Sequence, residues 1–285
     1  MATDRPAWAP GDVAIDQPSV ARIWDWFLGG SHNFAVDREV ARKTLELMPE
    51  GPQMARLSRA FLRRAVEHCV RAGITQFIDL GSGIPTVGNV HEVAKRATPD
   101  ARVAYVDIDP VAVAHTRQIL AGDKQTTAIQ ADLRDTARVL ASPELRGLLD
   151  FDKPIALLMV MVLHFVPDAD DPRGILAAYR GALAPGSALV IAHGSRDTEG
   201  MPTSHLQTAR KMYEREVGSV SLRTRAEVQA LFEGFELVEP GVVWVPEWHP
   251  EPDEPSAGAA AAAVTAAADA ASPRAGYAGM GIKRL

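Results

Sequence analysis

Apolar residues along this chain change their period several times, and each change marks an element. After Pro18, the residues Val20, Ile23, Trp24, Phe27 and Leu28 recur at intervals of three and four, with Ser19 before them and Gly29-Gly30 behind. That spacing predicts a short amphipathic helix, capped by serine and ended by glycine. A longer helix is predicted over 52–71, with Leu57, Phe61, Leu62, Ala65 and Val66 on one face. From residue 75 short apolar runs take turns with helical periods. The runs predict strands over 75–80, 102–107, 126–131, 155–161 and 188–193. Helices are predicted between them over 88–96, 111–120 and 172–183, with helical turns across 134–148. Such repetition makes a parallel sheet with helices on both faces, and a run such as 155–160 lacks polar alternation because a central strand is buried on both sides.

The rest of the chain departs from this repeat. A helix is expected over 204–216 and another over 226–232, then strand material at 235–238 and 242–246. Residues 247–274 are dominated by proline, acids and an alanine run, which predicts a mobile loop or marginal helix, because alanine buries little. Residues 277–284 return to strand character and are expected to lie antiparallel at the sheet edge. The division that follows is an irregular arm (1–17), a helical cap (18–72), a sheet core (73–246), an insertion (247–274) and a final strand (275–285).

Composition narrows the function. With 285 residues, 47% of them hydrophobic, the chain can pack one large core. A formal net charge of −6 speaks against gripping nucleic acid through phosphate neutralisation, so no nucleic-acid partner is expected. The lone cysteine, Cys69, leaves no internal disulfide and reads as a small buried hydrophobe. A cytoplasmic location is the expectation, with no membrane partner, since the longest apolar run falls far short of the ~20 residues of a spanning helix.

The chemistry gathers where strands end. Gln76-Phe-Ile-Asp-Leu-Gly-Ser-Gly-Ile-Pro-Thr86 carries an apolar strand into Asp79 and then Gly81 and Gly83. Glycines there let the backbone turn sharply and approach a ligand. Position 86 is threonine rather than the third glycine of a dinucleotide fingerprint, which weakens a nicotinamide reading. Asp107 ends the second strand near the spacing at which an acid meets ribose hydroxyls, and Asp132 closes the third. Ligands of open parallel sheets sit beyond the strands' carboxyl ends, so these loops converge on one crevice.

Several longer stretches carry a more specific likeness. They are residues 21–38 around Trp24-Asp-Trp-Phe-Leu-Gly-Gly-Ser-His-Asn-Phe34, the helix 58–65, Gly83-Ile-Pro-Thr86 with Asn89-Val-His-Glu92, Tyr105-Val-Asp-Ile-Asp-Pro110 and Leu163-His-Phe-Val-Pro-Asp168. Together they resemble the S-adenosyl methyltransferase family, formerly a family of unknown function, within the class I methyltransferases that use S-adenosylmethionine (SAM). The resemblance implies a Rossmann-like α/β fold with a seven-stranded, mostly parallel sheet and an antiparallel final strand. It also implies SAM as cofactor and a small-molecule methyl acceptor. By resemblance Asp79 would hold the cofactor's ammonium, Asp107 its ribose and Asp132 its adenine. The implied binding set is Gly30, Asn33, Asp79, Gly81, Gly83, Asp107, Ile108, Asp132, Leu133 and Met161.

Alternatives stay open at several of these residues. Gly30 and Asn33 could close over the cofactor or simply form a turn. Trp24, Trp26 and Phe27 could pack or serve as a lid. Arg22, Arg56 and Arg59 are candidates to pair with a cofactor carboxylate. His164, after the fourth strand, is the candidate catalytic base, with loop packing as the alternative; His193 and His32 rank behind it. His91 and Glu92 lack the spacing of a metal site, and no metal is expected. A SAM-binding sensor without turnover competes with the enzyme reading, and a nicotinamide-dependent oxidoreductase stands behind both.

Overall fold

The computed structural model describes residues 13–85, 88–199, 203–250 and 274–284. Most of the predicted arm and insertion, together with Thr86, lies outside the described residues. Three helices lead in: α1 (Val20–Phe27), α2 (Ala35–Leu47) and α3 (Gly51–Arg71). The alternating part follows as β1 (Gln76–Leu80), α4 (Val90–Ala97), β2 (Arg102–Asp107), α5 (Pro110–Ile119), β3 (Thr126–Gln130), α6 (Thr136–Leu140), α7 (Pro143–Leu148), β4 (Ala156–Val160), α8 (Pro172–Ala182) and β5 (Ala188–Glu199). The chain then runs through α9 (Thr203–Glu216), α10 (Arg225–Ala230), β6 (Phe235–Leu237), β7 (Val243–Trp244) and β8 (Arg274–Lys283).

The strands form one sheet in the order β3-β2-β1-β4-β5-β8-β6, with the two-residue β7 pairing to β8 beside β6. The first five are parallel, and β8 is antiparallel to β5, β6 and β7. Strand order reverses between β1 and β4, which makes their carboxyl ends the switch point where a crevice opens. Side chains alternate across β1: Ile78 and Leu80 join Leu176 and Tyr179 on one face, while Phe77 joins Phe61, Val66 and Cys69 of α3 on the other. Asp79 points to the α3 side by the same alternation.

Two expectations change. The seven-stranded path is present with β7 as an eighth, short strand, and β8 lies inside the sheet between β5 and β6 rather than at its edge. Its sequence explains this. From Ala275 to Gly281 every residue is buried, as in a strand covered on both faces, and a Cβ at Gly281 would come within 2.8 Å of the Phe235 Cβ. Of the cap, α3 packs into the sheet's own core through Phe61, Leu62 and Ala65, while its Ala55 joins α1 and α2 in a second cluster.

Candidate active site

A cavity of about 700 Å³ opens at the switch point. Asp79, Gly81 and Gly83 after β1, Asp107 and Ile108 after β2, Asp132 and Leu133 after β3, and Met161 after β4 all line it. Its outer wall is the segment from Val13 to Arg22 with Trp24, and Arg59 of α3 borders the inner end. Of that wall, the part before Pro18 falls in the stretch expected to be an irregular arm, although Val13 is buried, while Arg22 and Trp24 are already candidates from the sequence as a carboxylate partner and a lid.

The two glycines are required by geometry. Gly81 has a φ of +69°, and a Cβ there would lie 2.3 Å from Val162 Cγ2. Gly83, at φ +66°, donates its N–H to Asp107 Oδ2 at 2.7 Å. Asp107 Oδ1 accepts from Asp109 N at 2.8 Å. The carboxylate of Asp107, which the Ile108 backbone also approaches, keeps its remaining lone pairs on the cavity lining. Asp132 differs: Arg134 donates to both its oxygens, Nη2 at 2.6 Å, and also reaches Asp170 at 2.8 Å. The expected adenine contact through the Asp132 side chain therefore competes with an ion pair.

Of the three candidate arginines, Arg59 lines the cavity with its Nη2 3.4 Å from the Ile84 carbonyl. Arg22 lines the cavity but is committed, with Nε donating to Asp37 at 2.9 Å and Nη1 to Asp109 at 3.0 Å. Arg56 is exposed and off the cavity lining. Gly30 and Asn33 are off it too. They wrap Asp25, whose Oδ2 accepts from Asn33 Nδ2 at 2.8 Å and from His32 N at 2.9 Å. A Cβ on Gly30 would fall 1.9 Å from Asp25 Oδ1, so this glycine answers to the close approach of a side chain in its own turn. Ser19 holds the expected N-cap position but its hydroxyl makes no cap; Asp37 accepts its N–H at 2.9 Å.

A second cavity of about 100 Å³ lies between α1, α2, α3 and α9 and shares Trp24, Met161 and Phe165 with the first. His164 lines this smaller pocket and not the larger one. Its loop is fixed by the buried Arg223, which donates to the carbonyls of Leu163 and Val166 at 3.2 Å each. Among the described residues, no cluster of three or more His, Cys, Asp or Glu side chains is placed to hold a metal ion. His91 and Glu92 are occupied locally, with Tyr105 Oη and the Asn89 N–H. No helix among the described residues is long and apolar enough to cross a membrane.

The S-adenosyl methyltransferase family matches residues 6–284. The chain belongs to this family. It is 39% identical to a candidate methyltransferase from Thermobifida fusca YX, covering 98% of this chain and 100% of that one with a TM-score of 0.87. It is 35% identical to a DUF574 family protein from Streptomyces avermitilis MA-4680, over 95% of this chain and 100% of that one, TM-score 0.84. An O-methyltransferase family protein from Burkholderia thailandensis shares the fold at 15% identity and a TM-score of 0.50, over 80% of this chain and 57% of that one. No curated protein matches the chain.

In this methyltransferase-family site the acids are tuned by burial. Desolvation raises the Asp79 carboxyl to about 7 against the opposing pull of Arg59, with Asp107 adding to the rise. Asp107 is raised to about 6 by burial, offset by the N–H groups of Asp109 and Gly83. His164 and His193 are held neutral. Burial, with His193 and Arg223 nearby, drops His164 well below its ordinary value. His193 falls to about 4, chiefly by burial. Arg223 Nη1 meets His193 Nε2 at 2.7 Å and can only donate, so Nδ1 carries the proton and donates to the Gly194 carbonyl at 2.8 Å. Both nitrogens of His193 are thereby spent on structure. His32 packs against His115 with ring centroids 3.5 Å apart and planes tilted by 35°, and lines neither cavity.

Proposed function

We propose that this protein transfers a methyl group from SAM to a small-molecule acceptor by in-line displacement. The observation that carries this reading is the switch-point cavity, walled by three strand-end acids with Arg59 beside them. Its volume lies within the roughly 300–1,000 Å³ of small-molecule sites. The donor set fits an amino acid joined to a nucleoside. Arg59 would take the carboxylate and Asp79 the ammonium, while the free lone pairs of Asp107 would accept from the ribose hydroxyls. Ile108, 61% exposed on the cavity lining, offers an apolar surface to the adenine ring. The Leu133 segment, fixed by a 2.8 Å bond from Tyr179 Oη to the Leu133 carbonyl, would border its edge.

When bound, SAM supplies a methyl group made reactive by its sulfonium. The residues of this chain then have to align the acceptor and keep water out. Trp24, Met161 and Phe165, at the junction of the two cavities, would hold the acceptor in line. A neutral His164 suits a hydrogen-bond partner of the acceptor better than a strong base, since its surroundings disfavour the imidazolium.

Binding should carry the signature of Asp79. Its carboxyl titrates near 7 in the unliganded protein and must be ionised to pair with an ammonium. Affinity for S-adenosylhomocysteine is therefore expected to rise several-fold as pH climbs from about 6 to about 7.5. In Asp79→Asn the affinity is weaker at the upper end and the rise is lost. The unliganded protein behaves the opposite way. A folded-state value raised above the ordinary 3.8 means that stability falls as pH rises from about 4 and levels off past about 7. Asp79→Asn removes that fall, so at pH 8 it should melt no lower than wild type. A flat binding profile in wild type would remove Asp79 from the ligand.

A further inference from the structure

Resting on the reading above, we infer that the smaller pocket receives the methyl acceptor and that the acceptor is a single-ring phenol, its ring among methionine and aromatic side chains and its hydroxyl at His164. Three features of the pocket lead there. The first is its lining. Phe27, Met48, Met54 and Tyr213 join Trp24 and Met161 around it. Methionine sulfur adapts its position and attracts aromatic rings, so this wall favours a flat, polarisable ligand over a saturated one of equal size.

The second is size. An apolar cavity of about 150 Å³ is enough for benzene. A pocket of about 100 Å³ is smaller than that, so one ring fits by extending its substituent across the junction into the larger cavity, and a fused pair fits less well.

The third is the disposition of polar groups. Thr44 Oγ1 donates to the Val40 carbonyl at 2.8 Å, the Tyr213 hydroxyl is engaged with Thr44, and Arg210 Nε is paired with Glu214 at 2.8 Å. His164 Nδ1, in contrast, is sealed from solvent without a hydrogen-bond partner. A buried polar atom in that condition is costly, and a ligand hydroxyl that reaches it as the pocket adjusts around the ring would satisfy it. The backbone beside it is strained: Met161 holds a φ of +57°, a left-handed conformation that a side chain of its size rarely adopts. Strain of this kind collects at functional sites, and Met161 lines both cavities.

In the transfer, a lone pair of the phenolic oxygen forms the new carbon-oxygen bond as the carbon-sulfur bond breaks. The bonding pair stays on sulfur, which passes from sulfonium to thioether, and the phenolic proton leaves through His164 to the solvent. His164 accepts the hydroxyl's hydrogen bond beforehand and orients the oxygen.

The test titrates phenol, cyclohexanol and naphthol into the full chain by calorimetry, with and without saturating S-adenosylhomocysteine. Because the pocket exists in the unliganded protein, phenol is expected to bind in both conditions, with cyclohexanol and naphthol weaker by about fivefold or more. Met54→Trp, which fills the pocket, should weaken phenol by roughly tenfold or more, and S-adenosylhomocysteine should bind as in wild type. Met48→Trp repeats the test from α2 should the first variant fold poorly. Phenol binding undiminished by either folded variant overturns the inference, as does its absence from a protein that binds S-adenosylhomocysteine. Phenol binding without any adenosyl-sulfur ligand binding would overturn the cofactor reading and leave the pocket standing.

Discussion

Arg22→Ala is expected to destabilise the protein by about 3–5 kcal/mol, the cost of leaving buried carboxylates without their cation. Arg22 lies at the meeting of three segments. Its guanidinium bonds Asp37 at the start of α2, Asp109 at the cap of α5 and the carbonyl of Gln17. The Arg22, Asp37 and Asp109 side chains are 4%, 0% and 5% exposed, so water cannot replace the lost partner. Both acids keep backbone donors, Phe34 N for Asp37 and Val111 N for Asp109, which stabilise the charges and tie the damage to local turns. Chemical denaturation checks the value, with the melting temperature falling by roughly 10 °C. Arg22→Lys should recover only part of it, because a lysine ammonium cannot span two carboxylates as a guanidinium fork does. A loss below about 1 kcal/mol would place this cluster among weak, solvated pairs.

Arg59→Met should leave the fold in place and weaken S-adenosylhomocysteine by about 2–5 kcal/mol, roughly thirtyfold at the least. Methionine keeps the apolar stem of the side chain and removes its charge. Arg59 is the cation that opposes the rise of the Asp79 carboxyl. Its loss costs the ligand twice: the carboxylate loses its partner, and Asp79 becomes harder to ionise for the ammonium. The pH at which binding strengthens should move upward in this variant. Arg56→Met is the matched control, since Arg56 is exposed and off the cavity. Equal affinities for the two variants would detach Arg59 from the ligand.

The parts of the fold and site that could be read in the sequence are those set by local periodicity. An acid at the end of an apolar run marks a strand end, and parallel strands bring their ends together, so Asp79, Asp107, Asp132 and Met161 converge as expected. The parts that could not be read depend on partners distant in sequence. Nothing local distinguishes Arg22, whose partner Asp109 is 87 residues away, from Arg59, which faces the cavity. Gly30 and Asn33 resembled ligand contacts because a turn around a buried Asp25 uses the same residue types. The interior place of β8 shows in its unbroken burial from Ala275 to Gly281, but strand order itself is not local. His164 was found with its loop, yet its placement in a separate pocket follows from how α1, α2 and α9 pack.

Calorimetric titration of the purified protein with SAM, S-adenosylhomocysteine and NAD tests the central claim most directly, because it asks which cofactor the switch-point cavity takes. The account predicts micromolar binding of both adenosyl-sulfur compounds, roughly −8 kcal/mol, and no heat with NAD. Binding of NAD alone, or of none of the three by a protein that is folded, would contradict it.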